Sequence, residues 1–319
     1  MNVYLMAHTK NNLGDDLFTS ILTSKHPEVS FDIDIGDVEH TQSLREFKNV
    51  NITNQNRDLE RIDVNKYDAI VFVGGSIFME HNGIQYLKDF NKFIKRAKDH
   101  SVPFYYTSCN FGPYETEEYY EIAKDMFRNC EDVYFRDKYS YELFKDVESV
   151  RYAPDLILSY DLNNVEKEKD TVGISVIDLT IRKNLKDLEN QYLETLKNNI
   201  SNYQKQGKKV YLFSFCKYEG DERAIKKLES LVEDKENLEI VRYDGNIDEF
   251  LNKYSKMEYM LCTRFHSMIL SKKLNQKVFV LSYSDKLNNV IDDLKLPFNI
   301  VNCRDIKNNT IFELSEFKN

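Results

Sequence analysis

At 319 residues the chain is long for one core and comfortable for two domains. Hydrophobic residues make up 41%, which excludes a disordered chain. The formal net charge of -9 excludes a general nucleic-acid binder, because counterion release needs a clustered basic surface. A local cationic pocket for a small anion remains compatible with that charge.

The first apolar run, "VYLM" (3–6), reads as a core strand. No basic region and long apolar segment precede it, so no signal peptide is expected. The loop that follows, "KNNLGDDLF" (10–18), has Gly14 for a tight turn and Asp15 or Asp16 to cap the next helix. It is either an ordinary capped loop or one whose amides face a ligand. "VFVGGSIFME" (71–80) closes a buried strand, "AIVFVGG" (69–75). Gly74 and Gly75 let a ligand or another backbone approach, and Ser76 can cap or donate; no GxGxxG fingerprint is present. The segment 84–100 has helical spacing. "VPFYYTS" (102–108) is the next strand, and "TSCNFGPY" (107–114) turns at Gly112-Pro113. Cys109 has no local base and reads as a buried thiol.

"DVYFRD" (132–137) ends in Arg136 and Asp137. The arginine suits a carboxylate or phosphate; an internal ion pair, or Asp137 as a helix cap, is the alternative. Asp155 in "APDLILS" (153–159) reads as structural. "DLNNVEKEKD" (161–170) is charged and aperiodic, and serves as the linker. The strand pattern then restarts with "TVGISVI" (171–177), "KKVYLFSF" (208–215), "NLEIVRY" (237–243), "MEYMLCT" (257–263) and "QKVFVLSY" (276–283). Helical spacing over 185–207 ends at Gly207, a C′ glycine.

The alternation predicts an α/β protein of two doubly wound, Rossmann-like domains facing a cleft. The pattern covers about 1–160 and about 171–300, and the domains are taken as 1–165 and 166–319. Ligands of such sheets bind beyond the carboxyl ends of the strands, so strand ends are where chemistry is sought.

"LCTRFHSMIL" (261–270) stands out among them. Arg264 and His266 fall at a strand terminus and in the first helical turn, where a cation is locally unfavourable by up to about 1 kcal/mol. Unpaired amides, the positive helix end and two nitrogen-bearing side chains make an anion site; a surface salt bridge is the alternative. The other histidines (8, 26, 40, 81, 100) lack ligand spacing, so no metal is expected, although His8 can line the cleft. Five cysteines (109, 130, 216, 262, 303), odd in number and without CxxC, predict reduced thiols and a cytoplasmic protein. No apolar run approaches the ~18 residues that span a bilayer.

Taken in order, "NNLGDD" (11–16), "FVGGS" (72–76), "CNFGP" (109–113), "FRDKYS" (135–140), "APD" (153–155) and "TRFHS" (263–267) resemble the polysaccharide pyruvyl transferase family. The chain departs from that pattern at Gly74-Gly75-Ser76, where the family commonly has three glycines, and at Cys109-Asn110-Phe111-Gly112. The resemblance implies a glycosyltransferase B-like fold and no firm cofactor. It implies phosphoenolpyruvate as co-substrate, and as acceptor a sugar of a surface polysaccharide or a lipid-linked oligosaccharide. The product is a pyruvate ketal, and the acceptor brings peripheral membrane association. The N-terminal domain is then the acceptor side and the C-terminal domain the donor side. His266 and Asp15 are the expected catalytic residues, with Arg264, Arg136, Ser267, Gly74 and Gly75 on the donor. Asn12, Asp16, Ser76 and Asn110 face the acceptor or line the cleft. Protonation of the enol carbon, or of the departing phosphate, by His266 fits a group that titrates near neutrality and is raised by bound anions. A nucleotide-sugar-dependent glycosyltransferase of the same two-domain type is the alternative, and a non-catalytic cleft-closing binder the third reading.

Overall fold

The computed structural model describes residues 1–35, 42–45, 47–53, 58–162, 165–182, 184–307 and 309–319. His40 and positions 163–164 of the expected linker lie outside the described residues.

Two compact units divide the chain. The first comprises Met1–Thr9 and Asp15–Tyr160, the second Lys10–Gly14 and Asp161–Asn319. The first is built on a sheet of β1 (Asn2–Ala7), β2 (Ser30–Asp34), β3 (Val50–Thr53), β4 (Ala69–Val73), β5 (Phe104–Cys109), β6 (Asp132–Phe135) and β7 (Val150–Tyr152). Its order is β3-β2-β1-β4-β5-β6-β7, and every pairing is parallel. Helices α1 (Leu13–Lys25), α2 (Ile84–Asp99), α3 (Glu117–Arg128) and α4 (Lys138–Phe144) alternate with the strands. The second unit has β8 (Glu168–Ser175), β9 (Lys209–Ser214), β10 (Leu238–Arg242), β11 (Met257–Cys262), β12 (Lys277–Ser282) and β13 (Asn299–Asn302). They are ordered β10-β9-β8-β11-β12-β13, again all parallel. Its helices are α5 (Glu189–Lys205), α6 (Asp221–Leu231), α7 (Ile247–Tyr254), α8 (Phe265–Lys273) and α9 (Asp285–Asp293).

The cores follow from the runs that form them. In β12 the side chains of Val278, Val280 and Leu281 are wholly buried, as expected of a strand covered on both faces. Aromatic rings supply much of the first core: Phe78 meets Tyr106 and Phe127 edge-on at 4.9 and 5.0 Å, and Phe111 meets Phe144 at 4.8 Å. Such pairs contribute ~0.5–1.5 kcal/mol beyond their buried area. All five cysteines are buried and unbridged. Gly207, at φ 78°, follows the end of α5 in the left-handed region. The reversal of strand order, where doubly wound sheets bind ligands, falls between β1 and β4 in one unit and between β8 and β11 in the other.

Candidate functional site

In the second unit the reversal point is fixed by one hydroxyl. Ser175, the last residue of β8, accepts hydrogen bonds at its Oγ from the backbone amides of Thr263 (2.9 Å) and Arg264 (3.1 Å). Arg264, in extended backbone, is the residue that opens α8. Its guanidinium turns onto carboxylates: Nε donates to Asp221 Oδ2 at 3.0 Å, Nη2 to Asp221 Oδ1, and Nη1 to Glu219 Oε2 at 2.6 Å. Asp221, itself buried, also accepts the amides of Phe215 (2.9 Å) and Cys216 (3.0 Å). The sequence expectation of an arginine held ready for an anionic donor is therefore revised. A buried cation without a counter-charge is costly, and the start of α6 supplies one. Removing one partner of such a pair costs ~3–5 kcal/mol.

Glu219 is shared more widely. Oε2 also accepts Arg182 Nη2 at 2.7 Å, and Oε1 accepts Asn12 Nδ2 at 2.9 Å. Burial opposes its ionisation, but Arg264 and Arg182 outweigh burial and hold the carboxyl well below the usual range. Burial pushes Asp221 the other way, up to about 6 against the pull of Arg264, which leaves it ionised at neutral pH.

Further cations gather beside this pairing. Arg182 lies over the ring of Tyr283 at 4.9 Å, and Lys286, the second residue of α9, lies 5.7 Å from that ring and 5.9 Å from that of Phe265. Burial would raise the Tyr283 phenol, yet Lys286, Arg182 and Arg264 together lower it. A lowered buried phenol marks a site where a negative charge is favoured. The hydroxyls of Ser282 and Ser284, on either side of Tyr283 in sequence, and Nε of Arg182 are buried with no hydrogen-bond partner among the described residues. Buried polar groups are normally satisfied, so these call for a ligand or water. The ends of β11 and β12 thus present two adjacent helix starts, α8 and α9, with Arg182, Lys286 and orphaned hydroxyls around them.

His266 is the second residue of α8, with its ring edge-on to Phe265 at 5.3 Å. A Cβ added at Gly14 would fall 1.6 Å from its Nδ1. Gly14 is therefore required for space rather than for a turn; it lies inside α1. Neither Asp15 nor Asp16 caps that helix as expected. Asn12 does, accepting the Gly14 amide on Oδ1 at 3.1 Å, while the two aspartates occupy the first turn, Asp16 buried and Asp15 half-buried. Asn12 is thereby a residue of the second unit, bridged to Cys216 and bonded to Glu219. Ser267 faces the interior instead of a ligand. Its Oγ shares hydrogen bonds with Tyr254 Oη (2.8 Å) and Cys262 Sγ (3.3 Å), and none of it is exposed.

The first unit gathers a separate cluster. Arg136 follows β6 and is buried; Nη1 donates to Asp155 Oδ2 at 2.8 Å and Nη2 to Asn110 Oδ1 at 2.9 Å. Asp155, read from sequence as structural, is its counter-charge, while Asp137 caps α4 through the Ser140 amide. Asn110 Oδ1 also accepts Ser76 Oγ at 3.2 Å, and its amide donates to the Gly75 carbonyl at 2.9 Å. A Cβ at Gly75 would fall 2.4 Å from Arg136 Nη2. Gly75 thus makes room for the arginine, and beside Gly74 lie Ile77 and His8. Burial drives the Cys109 thiol far up, which removes it as a nucleophile.

Of these groups, sequence reasoning missed Arg182, Glu219, Asp221, Tyr283 and Lys286. Lys286 carried a signal: a cation in the first turn after a strand ending "SYSDK" (282–286), the same pattern that singled out Arg264 and His266. Arg182 carried none, since it reaches the site through space from the loop after β8.

The comparisons bear on this arrangement. The solved structures that resemble the chain include MurG of Acinetobacter baumannii, at TM-score 0.52 and 12% identity over 96% of this chain and 86% of that one. They also include the UDP-GlcNAc 2-epimerase of Methanocaldococcus jannaschii in complex with UDP-GlcNAc and UDP, at TM-score 0.60 and 10% identity over 95% and 89%. HepE of Anabaena, in complex with UDP and glucose, matches at 0.59 and 10% over 94% and 85%. At such identities the likeness shows the fold alone, of glycosyltransferase B type. In sequence, the amylovoran biosynthesis protein AmsJ of Erwinia amylovora is 23% identical over 257 residues, 73% of this chain. The chain spans 60% of the length of that relative. The family model for polysaccharide pyruvyl transferase matches residues 12–285. That match begins at the asparagine bound to Glu219 and runs through both sheets past Arg264, His266 and Tyr283, so the chain belongs to the polysaccharide pyruvyl transferase family.

Proposed function

We propose that the protein transfers the pyruvyl group of phosphoenolpyruvate to a sugar of a surface polysaccharide, or of its lipid-linked precursor, as a cyclic ketal. The observation that carries this reading is the gathering of Arg182 and Lys286 around Tyr283 at the starts of α8 and α9, where the phenol is lowered despite its burial. A donor bearing both a carboxylate and a phosphate suits such a gathering. Family membership supports the polysaccharide as acceptor.

In this reading Arg182, Lys286 and the amides that open α8 and α9 hold the donor's two anionic groups. Arg264 keeps to Asp221 and Glu219 and adds its charge to the field. His266 gives a proton to the enol carbon, and positive charge develops on the carbon that carries the carboxylate. An acceptor hydroxyl attacks that carbon and its proton passes to Asp15. The bond to the phosphate oxygen then breaks as the second hydroxyl closes the ketal, and phosphate departs with that hydroxyl's proton. Arg136 holds Ser76 and Asn110 in place on the acceptor side. No described helix is long and apolar enough to cross a membrane; a lipid-linked acceptor would be met at the bilayer surface.

The test is acceptor-dependent phosphate release from phosphoenolpyruvate across a broad panel of sugars. His266→Ala is expected to lower that rate ~10²–10⁴-fold, the contribution of a positioned general acid, with an unchanged melting temperature. Release from no acceptor, full activity of the variant, or melting raised by nucleoside diphosphate sugars and not by phosphoenolpyruvate would overturn the reading.

A further inference from the structure

The reversal point of the first sheet, between β1 and β4, lies beside a cavity of about 590 Å³, within the ~300–1,000 Å³ typical of small-molecule sites. It is lined along β1 as far as His8, the residue after that strand, and closed on the other side by α2. Tyr4, Phe72, Tyr86, Phe90 and Phe93 are among the residues that line it, with the rings of Tyr86 and Phe90 4.7 Å apart and those of Phe72 and Phe90 5.6 Å apart. Four acidic residues, Asp34, Asp58, Glu60 and Asp89, also line it. Against them stand Lys92 and Arg96, while Asp58 is paired with Arg61 at 3.0 Å and one oxygen of Asp89 accepts the Gln85 amide at 2.7 Å; Arg96 is occupied with the carbonyls of Leu59, Glu60 and Ile62 and with the Phe93 ring.

This lining selects by chemistry. An acidic excess repels phosphoenolpyruvate, nucleoside diphosphates and acidic sugars. A hydrocarbon tail would strip water from carboxylates without returning hydrogen bonds. A sugar ring meets both demands, with C–H faces to lay on aromatic rings and hydroxyl donors for carboxylate oxygens. We propose that this cavity is a subsite for a neutral or amino sugar unit of the acceptor. The inference rests on the pyruvyl transfer reading only in calling that sugar the acceptor. Tyr86 supplies a stacking face and Asp89, at the exposed edge of α2, an acceptor oxygen.

The experiment is saturation-transfer NMR on the full chain without phosphoenolpyruvate, using methyl glucoside, methyl galactoside, glucosamine, glucuronate and dodecyl phosphate. At least one of the first three is expected to receive saturation, and glucuronate to bind about tenfold more weakly. Tyr86→Ala and Asp89→Asn are each expected to weaken sugar binding about tenfold or more, the loss typical of a stacking or charged hydrogen-bonding partner. Asp89 is exposed, whereas Tyr86 is half-buried against the core, so Asp89→Asn should melt as the wild type does and Tyr86→Ala lower, each with one cooperative transition that certifies the fold. Silence from every sugar, undiminished transfer in both variants, or tighter binding of glucuronate or dodecyl phosphate overturns the assignment. Because no donor is present, sugar binding without phosphate release would sink pyruvyl transfer alone. Acceptor-dependent release without sugar binding here would sink the cavity alone.

Discussion

At Glu219 two effects oppose each other. Burial disfavours its charge, and two guanidinium groups, of Arg264 and Arg182, restore it with enough surplus to hold the carboxyl well below the usual range. A carboxyl whose folded pKa is depressed contributes stability that is present above its unfolded pKa, near 4.5, and lost as pH falls below that value. Thermal melting of the wild type and Glu219→Gln should therefore differ most at pH 7 and converge as pH drops below about 4.5. A difference that stayed constant or grew in acid would contradict the pairing. The same residue marks the limit of local reading. Arg264 and His266 were legible because a cation in a first helical turn violates a local rule. Their partners were not, because Glu219 and Asp221 lie 45 and 43 positions from Arg264 and their spacing follows no local period. Ser267 sat in the motif, but its outcome depended on Tyr254, which packs over α8 from another helix.

Elements were easier to read than sites. All nine apolar runs became strands, since a parallel sheet covered on both faces demands near-continuous Val, Ile and Phe. The strands without a sequence signal were β2, β3, β7 and β13, with sequences SFDID, VNIT, VRY and NIVN. Three of these are sheet edges, which need little apolar surface because one side meets no strand. The approach of Gly14 to His266 was equally hidden, because it depends on an atom that Gly14 lacks. In Gly14→Ala the added methyl must displace the His266 imidazole. Phosphate release should fall at least ~10²-fold, toward the level of His266→Ala. Alanine favours a helix over glycine by ~0.8–1 kcal/mol, so the melting temperature should hold or rise unless the clash spreads. Undiminished turnover would show that the imidazole is not needed where it stands.

On the scale of the whole molecule the sequence pattern divides once, near position 160, but the physical division is not a single cut. Residues 10–14 belong to the second unit although the chain on both sides of them belongs to the first. In that segment Leu13 is fully buried, its amide donates to the Phe215 carbonyl at 3.1 Å, and Asn12 satisfies Glu219. A fragment of residues 161–319 lacks all three contributions. It should melt below the corresponding transition of the intact chain, and a synthetic peptide of residues 8–16 should restore part of the loss. Equal melting with and without the peptide would mean that the segment is dispensable. A protease that nicked the bond after Tyr160 would, by the same token, release nothing. The leading piece would still be threaded into its sequel by five residues, so that loss of mass on a gel would not signal loss of assembly.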